Sequence, residues 1–469
     1  MKSAIYKVTA IVVTIFSFIS CSSKKKALDA KELQTHKNAY EMYNLIQQDN
    51  YKKQKAIEKF VSSLSIEEKI SQIFMINLEK DDKFFPVEWY DRVIKNSDGS
   101  ESKIKTTLIP AGYIFFGYNV SKNPETIIGF TDSILEKAYS ENSIAPFISI
   151  DVEGGFVNRL RGVAGPLPEN ERVSQCLNTD EAFELYSLYA KQLNNLGFSL
   201  NLAPVAEIGT EKNQDFLSGR SYGNLENVKK FCGVNIKAYQ TNNVGTVLKH
   251  FPGNTNIDPH IGLPKIEMTD DEFLQIKDAF AHLLTYNPDG VLMSHAIVPS
   301  YDKDPACLSK FWITDVIRND LKYDGIVFSD DIFMGALIDN GYSPAVASKM
   351  AVEAGINCIM ISEKKFGKWM NLLINICEND PEFLKKIEDS VCKMISFKIR
   401  RGLLICEYDK KNDIYTILSP DLNEIIFNPN IQKKRFENFS EAKNKTLDFY
   451  NKYFLTTASD EEKRGLFIN

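Results

Sequence analysis

Residues 249–264, with the sequence KHFPGNTNIDPHIGLP, carry two of the five histidines in a chain of 469 residues. Lys249 and His250 are adjacent, and Asp258 precedes His260 by two residues. Three prolines and two glycines disfavour a helix, so this stretch is predicted to be a loop. Loops carried by a rigid scaffold often hold reactive groups. A polar loop with a capping aspartate would have a similar composition, and this window alone favours that simpler interpretation.

The residue types in and beyond this loop are suited to acid–base and nucleophilic chemistry. The Asp258 carboxylate can orient and charge the His260 imidazole, which then acts as a general acid and base. Asp330, in the sequence SDD, would stay ionised near Lys or Arg because opposite charges favour the charged form. An ionised carboxylate can attack an anomeric carbon as a nucleophile. The charged groups that would suit a hydroxyl-rich ligand are Asp151, Arg159, Arg220, Lys249 and His250.

Short apolar runs precede most of these residues and are predicted to be strands buried on both faces. Eight such runs occur, at 73–78, 112–117, 146–151, 199–205, 244–250, 290–296, 325–331 and 356–362. Helix-like segments separate them, which predicts parallel βαβ units. Eight repeats over about 300 residues predict an α/β fold of the closed (β/α)8 TIM-barrel type.

The predicted barrel explains why the reactive residues lie where they do along the chain. Working residues of such barrels project from the carboxyl ends of the strands. Asp151, Lys249, His250 and Asp330 all come at or just after the end of a predicted strand. Each aspartate alone could be a helix cap, but capping does not account for all of these residues together. We therefore expect one site on this rim of the barrel.

The N-terminus is predicted to be a lipoprotein signal peptide over residues 1–20. Lys2 and Lys7 precede a short apolar run, and a small residue comes directly before Cys21. The run is short for a membrane span. A cysteine at this place resembles a bacterial lipobox, so Cys21 is the expected lipidation site. A plain signal peptide beside an unmodified cysteine is the alternative.

This leader predicts an exported protein, lipid-anchored at the bacterial cell envelope through its acylated end. We expect a tether over residues 21–50 and a single catalytic domain over residues 51–405. The charged residues 406–469 are expected to form a short, helical C-terminal appendage.

Composition excludes several classes of function. Hydrophobic residues make up 43% and charged residues 25% of the chain, as in an ordinary globular protein. The net charge is −6 without a basic patch, which argues against a nucleic-acid partner. The cysteines after Cys21 are scattered with no C-x-x-C, and no H-E-x-x-H occurs, so neither a metal site nor a cofactor is predicted. The sequence leaves the oligomeric state open.

Several motifs resemble glycoside hydrolase family 3, and specifically its bacterial β-N-acetylglucosaminidase branch. They follow the family's order over roughly residues 60–404 and read LSIEEKISQIFMI, DVEGGFVNRL, LNLAPVAEI, SGRSYG, KHFPG, DPH and GIVFSDDIFMGAL. KHFPG with a later Asp-x-His is specific to this branch. The resemblance implies a TIM barrel that acts on N-acetylglucosamine-containing muropeptides or glycans.

The resemblance also implies a role for each candidate residue. Asp330 matches the nucleophile, His260 the acid/base and Asp258 its partner. The residues that match the grip on the terminal sugar are Asp151, Arg159, Arg220, Lys249 and His250. These roles imply retaining double displacement, in which His260 protonates the leaving oxygen and later activates water.

The chain departs from the family pattern mainly in the loop that carries the dyad. The family usually has His-Gly after KHFPG, whereas Asn254 and Thr255 stand here and the loop is two residues shorter. Pro259 separates the dyad residues where Ser is typical, and Val152 stands where Gln is usual. The shorter loop should be stiffer or aimed differently, and it must close over substrate.

Three functions are compatible with the sequence. The first is an exo-β-N-acetylglucosaminidase acting on peptidoglycan-derived fragments. The second is a retaining β-glycosidase of other specificity, or a phosphorylase, because a neutral histidine repels an anionic acceptor less than a carboxylate does. The third is a non-catalytic glycan-binding lipoprotein, which an intact nucleophile and acid/base dyad argue against. His295, inside an apolar run, is expected to be a hydrogen-bonded core residue, and Glu153 a candidate structural group.

Overall fold

The computed structural model describes residues 30–96, 98–260, 262–422 and 428–455. The predicted signal peptide and Cys21 lie outside the described residues. In the described part, no helix combines the length and the apolar character needed to cross a membrane. The chain divides into two compact units, one with residues 30–63 and 406–418 and one with residues 64–405 and 419–455.

The larger unit is built on parallel strands alternating with helices. The strands of the chain are β1 (Phe74–Asn77), β2 (Trp89–Lys95), β3 (Glu101–Thr107), β4 (Gly112–Phe115), β5 (Phe147–Ile150), β6 (Val152–Gly154), β7 (Val157–Asn158), β8 (Leu200–Asn201), β9 (Gly245–Phe251), β10 (Gly290–Met293), β11 (Ile326–Ser329), β12 (Ile359–Ile361), β13 (Ile405–Asp409) and β14 (Ile414–Leu418). All eight predicted strands are present, because each apolar run is buried on both faces.

The helices of the described residues follow in chain order, and the first of them belongs to the smaller unit. They are α1 (Ala30–Ser63), α2 (Ile66–Ser71), α3 (Pro124–Ser140), α4 (Asn170–Cys176), α5 (Thr179–Leu196), α6 (Gln214–Leu217), α7 (Leu225–Thr241), α8 (Asp270–Leu284), α9 (Gly335–Ile338), α10 (Pro344–Ala354), α11 (Gly367–Cys377), α12 (Pro381–Arg400) and α13 (Pro429–Tyr453). A wide-turned helix spans Phe311–Asp320, and 3-10 turns lie at Gly117–Asn119 and Ala306–Leu308. The sequence sets the helix ends locally: Asn178 caps α5 together with Glu181, and Gly197 ends it in the left-handed region.

The eight-stranded sheet is nearly closed and fits a TIM-type barrel. Its order is β11-β10-β9-β8-β5-β4-β1-β12, and the neighbours are parallel. A parallel bridge between Phe328 and Cys358 joins the two edges. Buried side chains fill the interior, among them Met75, Phe147 and Phe328. The carboxyl ends of the strands therefore share one rim.

The first crossover differs from the predicted eightfold repeat. In the described residues between β1 and β4 the connection is an antiparallel hairpin of β2 and β3 rather than a helix. The alternation of Tyr90, Arg92 and Ile94 opposite Thr106, Ile104 and Ser102 forms this ladder. The first β/α unit is therefore less regular than the others, although its strand lies where the sequence predicts it.

Helix α13 belongs to the larger unit and packs on barrel helices. Its Arg435 Nη1 lies 2.6 Å from Asp132 Oδ1 in α3, and its Thr446 hydroxyl accepts a hydrogen bond from Gln192 in α5. Phe439 and Phe449 are buried. This helix covers about 25 residues of the predicted C-terminal segment.

The smaller unit consists of helix α1 and the hairpin of β13 and β14. Lys52 forms an ion pair with Asp413 at 2.6 Å, and the Tyr415 hydroxyl bonds to Asp49. Helix α1 includes residues 30–50 of the predicted tether, and the hairpin comes from the segment that was expected to be an appendage.

Candidate active site

A largely buried group of four charged residues comes from the segments that follow β5 and β8 and from the carboxyl-terminal part of β9. We call Asp151, Glu153, Arg220 and Lys249 the charge cluster. Lys249 Nζ is 2.8 Å from Asp151 Oδ1 and 2.6 Å from Glu153 Oε1. Arg220 donates from Nε to Glu153 Oε2 at 2.7 Å and from Nη2 to Oε1 at 3.0 Å. Glu153 therefore joins both cations.

The cluster keeps its charges in spite of burial. Burial alone would raise the pKa of Glu153, but Lys249 and Arg220 bring it well below its ordinary value. Burial would lower the pKa of Lys249, and Asp151 and Glu153 raise it instead. Two carboxylates and two cations balance one another, which satisfies the requirement that buried charges be paired.

A tight hairpin after β5 places Asp151 and Glu153. Strand β6 pairs with β7, and Gly154 has a φ of 123°. A Cβ atom there would come within 2.4 Å of the Pro168 carbonyl oxygen, so only glycine fits. The Arg159 amide donates to the Asp151 carbonyl at 3.1 Å, and the Arg159 side chain is exposed. Its predicted contact with a sugar stays a prediction.

Glu207 fixes both His250 and the start of the loop that carries the dyad. His250 Nδ1 lies 2.6 Å from Glu207 Oε1. The Asn254 backbone N–H donates to Glu207 Oε2 at 2.7 Å, and its side-chain amide donates to Oε1 at 3.0 Å. Because Asn254 is buried, the residue that departs from the family pattern is a structural clamp on Glu207.

The two aspartates that follow β11 differ in their surroundings. Asp331 Oδ1 accepts the backbone N–H groups of Phe333 and Ser362, and it therefore ties the end of β11 to the segment after β12. Asp330 accepts the Asp331 N–H at 2.8 Å and lies at the rim. Asp331 has a structural position, which leaves Asp330 as the carboxylate available to a ligand.

The charge of Asp330 is favoured by its neighbours. Burial would raise its pKa, but His295, His250, the Asp331 N–H and Lys249 lower it below the ordinary value. Because His250 and Lys249 act on it, Asp330 shares one electrostatic environment with the charge cluster. Of the eight residues expected to act on substrate, five are thus brought together: Asp151, Arg220, Lys249, His250 and Asp330.

The Asp258–His260 pair forms a dyad on the exposed part of the loop. His260 Nδ1 is 2.7 Å from Asp258 Oδ1, and the His260 backbone N–H donates to the same oxygen at 2.9 Å. The side chains are 74% and 46% exposed. Nδ1 is occupied by this bond, so Nε2 is the nitrogen that can exchange a proton with a ligand.

The dyad loop touches the segments on either side of the site. Asn256 donates from its backbone to the Lys212 carbonyl, and the Ala336 N–H donates to the Pro259 carbonyl at 3.1 Å. Ala336 follows Asp330 by six residues, and Asp258 is within electrostatic reach of Arg220. Beside this loop lies a largely apolar cavity of about 500 Å³, lined by residues such as Ile208, Ile257 and Phe280. The dyad loop is thus held by backbone contacts to Lys212 and to the segment that follows Asp330.

Sequence patterns missed two features of the site. Asn254 was noted only as a departure, and its bond to Glu207 depends on a carboxylate 47 residues away. Glu153 was only a candidate structural group, and it bridges both cations. Within the described ranges, no group of histidine, cysteine, aspartate or glutamate side chains has the arrangement of a metal site.

Comparison with known proteins places the chain in a family. A model of the glycosyl hydrolase family 3 N-terminal domain matches residues 65–397. The chain belongs to glycoside hydrolase family 3. Its β-hexosaminidase relatives confirm the branch that the motifs indicated, one being the enzyme of that name from Vibrio cholerae serotype O1, 30% identical over 261 residues. That match covers 54% of this chain and 76% of the relative.

Some relatives are much longer than the part of them that matches this chain. Beta-hexosaminidase A of Pseudoalteromonas piscicida is 27% identical over 320 residues, which cover 62% of this chain and 53% of the relative. The chain thus spans about half the length of that relative. A family 3 β-N-acetylglucosaminidase structure from a Paenibacillus strain has a TM-score of 0.63 and 24% identity, covering 81% of this chain and 69% of its own. This likeness shows the fold and confirms the barrel.

Proposed function

We propose that this family 3 chain is a retaining exo-β-N-acetylglucosaminidase that removes terminal β-linked N-acetylglucosamine from peptidoglycan-derived fragments. The observation that carries the proposal is the combination of a rim carboxylate kept ionised, Asp330, with a hydrogen-bonded Asp258–His260 dyad whose loop contacts the segment after Asp330. The names of the relatives support the sugar. The predicted export signal supports a cell-wall substrate at the envelope, reached through a lipid anchor on Cys21.

In the first step a carboxylate oxygen of Asp330 attacks the anomeric carbon. The bond from that carbon to the leaving oxygen breaks, and His260 Nε2 delivers the proton that this oxygen needs. The product is a covalent ester between Asp330 and the sugar. Asp258 stabilises the charged imidazolium through its bond to Nδ1.

In the second step the same imidazole acts as a base. His260 Nε2 removes a proton from water, the water oxygen bonds to the anomeric carbon, and the ester bond to Asp330 breaks. Two inversions leave the product with the starting configuration. Asp151, Arg220, Lys249 and His250 supply the hydrogen-bonding groups that would hold the hydroxyls of the sugar.

The test compares two chromogenic substrates that differ only at the 2-position. We expect cleavage of the N-acetyl-β-glucosaminide, with the β-anomer appearing first by NMR, and little cleavage of the β-glucoside. Asp330→Asn should abolish turnover, whereas Asp320→Asn, on the surface, should not. Cleavage of the plain glucoside alone would refute the N-acetyl specificity while leaving a retaining glycosidase.

Two further results would favour the alternatives. Formation of the sugar 1-phosphate on addition of phosphate would indicate a phosphorylase. Binding of N-acetylated sugars without turnover, unchanged in Asp330→Asn, would indicate the non-catalytic glycan-binding protein.

A further inference from the structure

His295 is a buried histidine beside the candidate nucleophile. It lies two residues after Met293, the last residue of β10, and its exposure is 0%. Met293 pairs with Ser329, which directly precedes Asp330. Because the two strands are parallel neighbours, His295 and Asp330 leave the barrel at adjacent points of the same rim.

One nitrogen of this imidazole has a partner and the other does not. His295 Nδ1 lies 3.3 Å from the Cys307 sulfur. Nε2 is buried and has no hydrogen-bond partner among the described residues. A buried polar atom without a partner costs free energy, and in a native protein it calls for an explanation.

The groups that shift the pKa of His295 lie on two neighbouring segments. Burial lowers its pKa, the Asp330 and Asp331 carboxylates and a polar interaction with the Asp331 backbone oppose this, and His250 in β9 adds to the lowering. Because the net direction is downward, the ring is neutral at neutral pH. The neutral ring can act on Asp330 through a hydrogen bond, and any protonated fraction adds the charge that lowers the pKa of Asp330.

The neighbouring thiol is compatible with the tautomer that carries the ring proton on Nε2. Burial raises the pKa of Cys307 well above its ordinary value, so its sulfur keeps its proton. A protonated thiol can donate to Nδ1, which leaves the ring proton on Nε2. The unpartnered atom is then a donor in the immediate surroundings of a carboxylate.

We propose that His295 is a positioning residue whose Nε2–H donates to the Asp330 carboxylate when substrate is bound and holds it in the attacking orientation. The inference rests on the proposed role of Asp330 as the nucleophile. Catalytic hydrogen bonds are often incomplete before substrate binds. The Asp331 N–H fixes one oxygen of Asp330 at 2.8 Å, and a second donor would fix the plane of the group.

Two substitutions of His295 distinguish the role of Nε2 from that of Nδ1. Gln places an amide near the Nε2 end, whereas Asn places one near the Nδ1 end only. We expect His295→Asn to lower kcat about 10- to 100-fold, as expected for loss of a hydrogen bond to a charged group, with KM changed less than about threefold. His295→Gln should keep about a third or more of wild-type kcat. Thermal unfolding of both variants checks that the barrel is intact.

Three outcomes would overturn the inference. Equal kcat losses in His295→Gln and His295→Asn would show that the Nε2 end has no special role. A raised KM at constant kcat would show that the ring contacts the ground-state substrate instead. A wild-type kcat in His295→Asn, together with no turnover in Asp330→Asn, would refute the role of His295 and leave the proposed function intact. Turnover by Asp330→Asn would refute the proposed function itself.

Cys307 gives a second route if the His295 variants do not fold. Cys307→Ser keeps a donor to Nδ1, and Cys307→Ala removes it. The inference expects kcat close to wild type in Cys307→Ser and a fall of about 3- to 10-fold in Cys307→Ala, because the ring proton is no longer confined to Nε2. Equal kcat values in the two variants would overturn it.

Discussion

The charge cluster and the dyad loop, residues 253–260, are built in opposite ways. In the cluster the side chains of Glu153 and Lys249 are 1% and 5% exposed, and each has several charged partners. In the loop the side chain of His260 is 74% exposed, and among the described residues it bonds to the Asp258 carboxylate. One region is fixed by ion pairs before a ligand arrives, and the other is held mainly by backbone contacts near its ends.

The difference indicates that the two regions have different roles in the proposed reaction: the cluster binds the sugar and the loop transfers protons. A group that grips the sugar gains from being preorganised, because its dipoles and charges then need no rearrangement on binding. A group that both gives and takes a proton must reach the leaving oxygen and then a water, and exposed loops allow such movement. The variants below should therefore separate stability from turnover.

The largest effect is expected from breaking the centre of the charge cluster. Glu153→Gln leaves Arg220 without its paired carboxylate and Lys249 with Asp151 only. Removing one partner from a buried ion pair costs about 3–5 kcal/mol in the free energy of unfolding, and turnover should be lost with it. Urea unfolding measures the change. The control is Glu437→Gln on α13, 60% exposed, which should cost less than about 0.5 kcal/mol.

The second effect should appear in turnover only. His260→Asn removes the acid/base, and kcat should fall about 10²- to 10⁴-fold. Because the imidazole is mostly exposed, the free energy of unfolding should change by less than about 0.5 kcal/mol. Steady-state kinetics together with urea unfolding distinguish this result. A stability loss as large as that of Glu153→Gln would abolish the contrast between the two regions.

A smaller effect is expected where the dyad loop rests on the barrel. A Cβ atom on Gly335 would come within 2.9 Å of the His260 carbonyl oxygen. Gly335→Ala should therefore displace the loop and lower kcat about 10-fold, in keeping with the sensitivity of catalysis to misplaced groups. Gly129→Ala, in helix α3 with nothing near its Cβ position, is the matched control and should not lower kcat. Unchanged kcat in Gly335→Ala would mean that the loop position does not limit turnover.

The smallest expected effect is a decline of the unfolding temperature at acidic pH. The folded pKa of Glu153 is lowered, mainly because Lys249 and Arg220 outweigh its burial. A carboxylate with a depressed folded pKa adds stability above its unfolded pKa, and this stability is lost as the pH falls through the folded value. The unfolding temperature of the wild type should thus decline below the unfolded value of about 4.5. The unfolding temperature of His260→Asn should show the same decline. A shallower decline would indicate that the acid sensitivity comes from the dyad loop instead of Glu153.

The sequence was sufficient for the barrel and for the residues that end its strands. Runs such as 325–331 are apolar enough to be recognised without context, and the carboxyl-end rule then places Asp330 on the rim. The hairpin of β2 and β3 was missed because charged and polar residues interrupt both strands, so neither makes a continuous apolar run. The bridging role of Glu153 and the Asn254 clamp depend on partners distant in sequence, and no local pattern encodes such pairs.

The most direct test of the account is to trap the covalent intermediate. His260→Asn lacks the base for the second step, so an activated N-acetyl-β-glucosaminyl substrate, whose leaving group needs no acid, should load the enzyme and stay. Mass spectrometry of the digested protein should place one N-acetylglucosaminyl group on the peptide that contains Asp330. An adduct on another residue, or turnover of this substrate with no adduct and with inverted product, would contradict the assignment of Asp330 as the nucleophile.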